Sequence, residues 1–150
     1  MRRVLSLFLA ICFLTITFTS CSSNQPTDAS LINKRINVFL SAFNMGNEEE
    51  IIKCFSAAEQ KRIADDHIED AFWVAVAIGL GIETVGDTAK VDDITLTISD
   101  GDIGLANGTE AYANVSLQCF TDGDSYSSEV YFLLVKEKGD WFIENYQKVG

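Results

Sequence analysis

His67 is the single histidine of this 150-residue chain, and its setting makes it the first place to look for chemistry. It falls at helical spacing with Ile63, Ala71 and Val74, which predicts a side chain directed inward. Asp66, Glu69 and Asp70 stand beside it. An imidazole next to a carboxylate is the pairing that moves protons in acid–base catalysis, because burial and a neighbouring charge tune its pKa near neutrality. The competing role is structural: a helix histidine hydrogen-bonded to a nearby acid. The structural or pocket-lining role is the one expected, because no second titratable residue is placed opposite. The strand positions read as facing the helices are Ile94, Leu96, Ile98, Ala113, Val115 and Leu117, and none of them transfers protons. A register one residue off would present Asn114, Ser116 and Gln118 instead.

Trp73, Tyr112, Tyr131 and Trp141 are the further candidates to line a pocket with His67, although rings of this size also fill cores. "SDGDIG" and "TDGDS" carry acids in pairs, yet neither continues into the alternating acidic loop and distant Glu of a calcium site. Asp-Gly is a turn signal in its own right. One histidine and cysteines without ligand spacing do not make a zinc site, so no metal and no cofactor is expected. A Gly-rich phosphate loop, a Ser-His-Asp pattern and a CxxC are also lacking. Cys54 shares a helix face with Ile51 and Phe55, and Cys119 a strand face with Val115 and Leu117. A disulfide between them is open in an oxidising compartment, but two buried free thiols are expected, since each cysteine suits the core as a small apolar side chain.

The elements that must position these groups divide the chain in two. Ile32, Ile36, Phe39, Leu40 and Phe43 recur on one helix face, with Gly46 as the stop. Asn47 and Glu50 form a capping box for a short second helix. A third helical stretch runs from about Ala57 to Leu80 and ends apolar nearly all round. From about Lys90 the period becomes two, in four strands joined by "ANGT", "TDGDS" and "KGD". Short Gly-bearing joints predict antiparallel hairpins. The fold class is therefore α+β, with the N-terminal helices packed on a curved four-stranded antiparallel meander.

The chain opens with Arg2 and Arg3 and an uncharged run from Val4 to Phe18, too short to span a bilayer as a helix. The "FTSC" that follows resembles a bacterial lipobox. That resemblance implies cleavage before Cys21 and lipidation of its thiol. Residues 1–20 are then a signal peptide, 21–29 a flexible tether and 30–150 one domain, anchored to a membrane on its extracytoplasmic side. Without Arg2 and Arg3, nine basic residues face 22 acidic ones, a net charge of −13. Such a balance repels nucleic acid and is expected to hold the domain off an anionic membrane face.

"FLSAFNMGN", "EEEIIKCF", "NGTEAYANVSLQCF" and the terminal "EKGDWFIENY" together resemble the nuclear transport factor 2-like superfamily, in particular its uncharacterised bacterial lipoprotein domains. The resemblance implies a sheet wrapped around helices as a cone with a pocket. It implies no single activity, because that fold carries isomerases, dehydratases, transport factors and binding domains. The function expected is binding of a small apolar ligand, a peptide or an envelope protein. The alternatives are an isomerase or dehydratase using His67, and a structural part of an envelope assembly.

Overall fold

The computed structural model describes residues 27–67, 72–82, 95–121 and 124–149. The signal segment, Cys21 and most of the tether lie outside the described residues. So do Glu69, Asp70, Ala71 and Ile94, and the side chains of Trp73, Leu96 and Ile98.

Helix α1, Asp28–Asn44, starts where the Thr27 side chain accepts a hydrogen bond from the Ser30 amide at 3.3 Å. This satisfies one of the donors that a helix start leaves unpaired. Its stripe of Ile32, Ile36, Phe39, Leu40 and Phe43 is buried, and the chain leaves the helix through Gly46 at φ 63°. Asn47 then caps α2, Glu48–Lys53, by accepting from the Glu50 amide. Three glutamates in its first turn and Lys53 in its last match the helix dipole. Ser56 caps α3, Ala57–Asp65, in the same way. Helix α4 spans Phe72–Gly79.

The stretch read as one helix from Ala57 to Leu80 is thus interrupted. Asp66 closes α3, and His67 follows with φ 52°, in the left-handed region. A residue of that conformation cannot continue a right-handed helix, and histidine adopts it more readily than most side chains.

Strands β1 (Thr95–Leu105), β2 (Glu110–Thr121), β3 (Asp124–Glu137) and β4 (Asp140–Lys148) form one antiparallel sheet in sequence order. The β3–β4 joint is Lys138-Gly139, both at positive φ, as a two-residue hairpin of primed type demands. Ala111, Ala113, Val115, Leu117 and Cys119 of β2 alternate onto the buried face, paired with Leu134, Phe132, Val130, Ser128 and Tyr126 of β3. The helices pack on this inner face, giving the α+β layering that the sequence predicts.

Two sets of ties fix the helices to the sheet. Asp28 at the head of α1 accepts from Lys136 Nζ at 2.7 Å and from Trp141 Nε1 at 3.0 Å. Arg35, two turns on, donates its Nε–H to the Trp141 carbonyl at 2.6 Å and lays its guanidinium over the Phe142 ring. Beyond α2, the backbone at Cys54–Ser56 pairs with Ile143 on the edge of β4. The buried Ser128 hydroxyl donates to the Leu80 carbonyl at the end of α4. Gly81, at φ 76°, lets the backbone come so near that an added Cβ would lie 2.6 Å from the Ser128 oxygen.

Cys54 and Cys119 are both buried and unbonded to one another. Burial, acting first, pushes both thiols up from their ordinary range, so neither is a ready thiolate. Thiol titration without reductant should therefore find both unreactive in the native protein and both reactive in denaturant. No new thiol on unfolding would indicate a bridge.

Candidate functional site

Most of the inner face is filled. Phe39 sits at the centre of an aromatic cluster with Phe55, Phe132 and Tyr146, its ring centroid within 5.6–5.9 Å of each of theirs. Where this packing ends, between α3, α4 and β4, a cleft of about 260 Å³ remains. Phe55, Phe72 and the Tyr146 ring give it an aromatic floor, Ala75 and Gly79 form a wall, and Glu59, Arg62 and Asn145 stand at its rim.

Tyr146 reaches the cleft through an irregularity of the sheet. Leu134 pairs with Ile143, yet Leu133 pairs with Asn145, so Glu144 is an extra residue in β4. That bulge reverses the alternation after Trp141 and Ile143 and brings the Tyr146 ring onto the Phe132 ring on the inner face. Gly79 makes room for it: a Cβ there would lie 2.5 Å from the tyrosine ring. Burial, then the nearby Glu59 charge, pushes the Tyr146 phenol well above its ordinary range, with Arg62 pulling the other way. The phenol is accordingly a neutral group that can donate a hydrogen bond at any physiological pH.

The charged rim is self-compensating. Arg62 grips both Glu59 oxygens, at 2.9 and 2.5 Å, and reaches Asp66 at 3.1 Å. A guanidinium shared by two carboxylates has little left for an anionic ligand. The arrangement therefore fits a neutral molecule: an apolar or aromatic body on the floor and an acceptor atom toward the phenol. Among the described residues no group of three histidine, cysteine or acidic side chains converges as a metal site.

The residues singled out from sequence do not assemble here. His67 is exposed beyond the end of α3 and does not line the cleft, which corrects the inward reading. Its face with Ile63, Ala71 and Val74 required a helix running through residue 67, and the left-handed residue interrupts it. Tyr112 and Tyr131 stack at 6.2 Å on the other face of the sheet, Tyr112 lying over Gly104. Trp141 is 1% exposed and serves the core and the α1 ties, one edge touching a separate hollow beside α1. The functional candidates that sequence reasoning passed over are Glu59, Arg62, Asn145 and Tyr146. The 59–62 spacing is a readable helix pair, whereas Tyr146 depends on a bulge that alternation alone conceals.

No protein-family model matches the chain, and no curated protein matches it in sequence. Solved structures do. An NTF-2-like protein of unknown function from Shewanella oneidensis superposes with a TM-score of 0.56 at 14% identity, over 81% of this chain and 98% of that one. A protein of unknown function with a cystatin-like fold from Nostoc punctiforme gives 0.57 at 16%, over 83% and 92%. An uncharacterised protein with a cystatin-like fold from Caulobacter vibrioides gives 0.54 at 15%, over 81% and 89%. The chain therefore has the NTF2-like, or cystatin-like, α+β cone fold.

Proposed function

We propose that this chain is a lipid-anchored extracytoplasmic binding domain that takes a small, neutral, largely apolar ligand in the cleft between α3, α4 and β4. The observation that carries the reading is the aromatic floor of Phe55, Phe72 and Tyr146 under one protonated phenol and a Glu59–Arg62 pair that neutralises itself. A buried aromatic floor under a few placed polar groups is a make-up that small-molecule sites share, and the polar rim suits a ligand that carries polar atoms beside its apolar body. The anchor is read from Cys21, at the end of a short uncharged run and before a polar tether. An isomerase or dehydratase working through His67 draws no support from the position of that side chain, exposed and off the cleft.

The test uses the full chain made in a bacterium. Detergent phase partitioning should place the wild type in the detergent phase, and Cys21→Ala should leave it or remain an uncut precursor. Unchanged partition with processing elsewhere would sink the anchor. Native mass spectrometry and a thermal-shift screen of small neutral aromatic and carbonyl compounds then address the cleft. Ala75→Trp, at an exposed position of the wall, should fill it and abolish the shift without altering the melting point of the free protein. At a hundred times Kd a ligand contributes about 2.7 kcal/mol, easily seen as a shift. Ligands that bind the tryptophan variant equally well would place the site elsewhere.

A further inference from the structure

The polar groups around the cleft differ in the hydrogen-bonding capacity they have left. Asn145 Oδ1 accepts from the Tyr146 amide at 2.8 Å. A backbone N–H can meet only the oxygen of a side-chain amide, so this bond fixes the orientation of Asn145. Its NH2 is then left with two donors and no partner among the described residues. The Tyr146 hydroxyl likewise has no partner among the described residues, and the charges of Glu59 and Arg62 both act on it, which puts it under the rim. Arg62 has five N–H groups; Nε and Nη2 meet Glu59, and Nη1 meets Asp66. One N–H on each Nη is left over. Acceptors are scarcer. Arg62 takes both Glu59 oxygens, and the chain itself takes the Asn145 oxygen. Among the lining side chains only the phenol oxygen is not already accepting. The spare capacity of the rim is therefore on the donor side.

We infer that the ligand of this cleft is a neutral apolar molecule whose polar atoms are all acceptors, an aromatic ketone, quinone or ester, met by the Tyr146 hydroxyl and the Asn145 amide; the inference rests on the cleft being the binding site. Each other class meets an obstacle on the same residues. An anion would face Glu59 and Asp66 against the single charge of Arg62, within a strongly acidic chain. A cation would compete with Arg62 for a carboxylate that is already gripped at both oxygens. A neutral donor has one phenol oxygen to meet, where an acceptor has three donor groups. A plain hydrocarbon would cover the phenol and the amide and strip them of water without replacing its hydrogen bonds, and a buried donor left unpaired is costly. A carbonyl oxygen has two lone pairs and replaces that water. The aromatic floor of Phe55, Phe72 and Tyr146 takes the apolar body, so one molecule satisfies both halves of the site.

The probes are three tricyclic molecules of nearly one shape: fluorenone, which only accepts, carbazole, which only donates, and fluorene, which does neither. The full chain in detergent is dialysed to equilibrium against each. Uptake by its Ala75→Trp variant in the same detergent is subtracted, which removes partition into micelles. Fluorenone should bind about tenfold more tightly than fluorene, the worth of one good hydrogen bond to a buried donor, and carbazole no more tightly than fluorene. Tyr146→Phe keeps the ring and removes the hydroxyl, and should erase most of that preference. Asn145→Asp puts an acceptor in place of the NH2 at an exposed position, and should weaken fluorenone severalfold while strengthening carbazole. Equal affinities for the three, or a preference for carbazole, would overturn the acceptor preference and leave the cleft as the binding site. Uptake no greater than that of the tryptophan variant would overturn the cleft and the acceptor preference together.

Discussion

Phe39→Ala should lower the unfolding free energy by about 3–5 kcal/mol, the range for emptying a fully enclosed aromatic site. Phe39 is 0% exposed and meets three rings at once: Phe55 and Phe132 edge-on, Tyr146 at a tilt. Those rings belong to α1, the α2–α3 joint, β3 and β4, so the cavity would open where four parts of the chain meet. Collapse around it is hindered, because each neighbour is held by its own backbone pairing. Domains of this size are stable by about 5–15 kcal/mol, so the variant would be marginal at body temperature. Urea titration gives the number, with an unchanged slope showing that two-state unfolding persists. A loss under about 1 kcal/mol would mean that the cluster is not the centre of the core.

Trp141→Ala should produce a loss of similar size, about 3–5 kcal/mol, and should in addition change the response to acid. The indole is buried and bonded to Asp28, and its own carbonyl takes the Arg35 bond. The hydrogen bond from Lys136, and after it that from Trp141, holds the Asp28 carboxyl below its usual range. A carboxylate whose pKa is depressed by folding contributes stability in full above its unfolded pKa, and that contribution disappears as pH falls through the folded value. The wild type should therefore lose stability below about pH 4 more steeply than Trp141→Phe, which lacks the indole donor but fills most of the space. Parallel acid limbs for the two proteins would remove Asp28 from the account.

The elements most legible in the sequence were those decided by short-range pattern. The stripe of α1 and the alternation of β2 follow from burial of one face, and Asn47 with Glu50 marks the start of α2 by its hydrogen bond. The joints containing glycine gave the strand order, since each permits only a hairpin. What stayed hidden was phase. Between Ile63 and Val74 a helical count continues smoothly on paper, but His67 takes a left-handed conformation and the count restarts. In β4 the extra residue Glu144 does the same to a two-residue period, so Tyr146 faces the core where alternation would place Asn145. The break in β4 borders the cleft, which Asn145 and Tyr146 line. The candidate site was illegible because the tyrosine at its centre arrives through a departure from the strand's own periodicity.

The ties of Asp28 and Arg35 to Trp141 also set an order of events during synthesis. They join residues 113 and 106 positions apart, the first helix of the domain to its last strand. A growing chain exposes the apolar stripe of α1 early, whereas the strand that finishes its burial emerges only about a hundred residues later. The hairpins between neighbouring strands are local and can form as they appear. Closure of the domain is not local, and must wait until β4 has been made. Until then Ile32, Ile36, Phe39 and Phe43 are without their full cover, so the nascent domain stays open until β4 arrives to shut it.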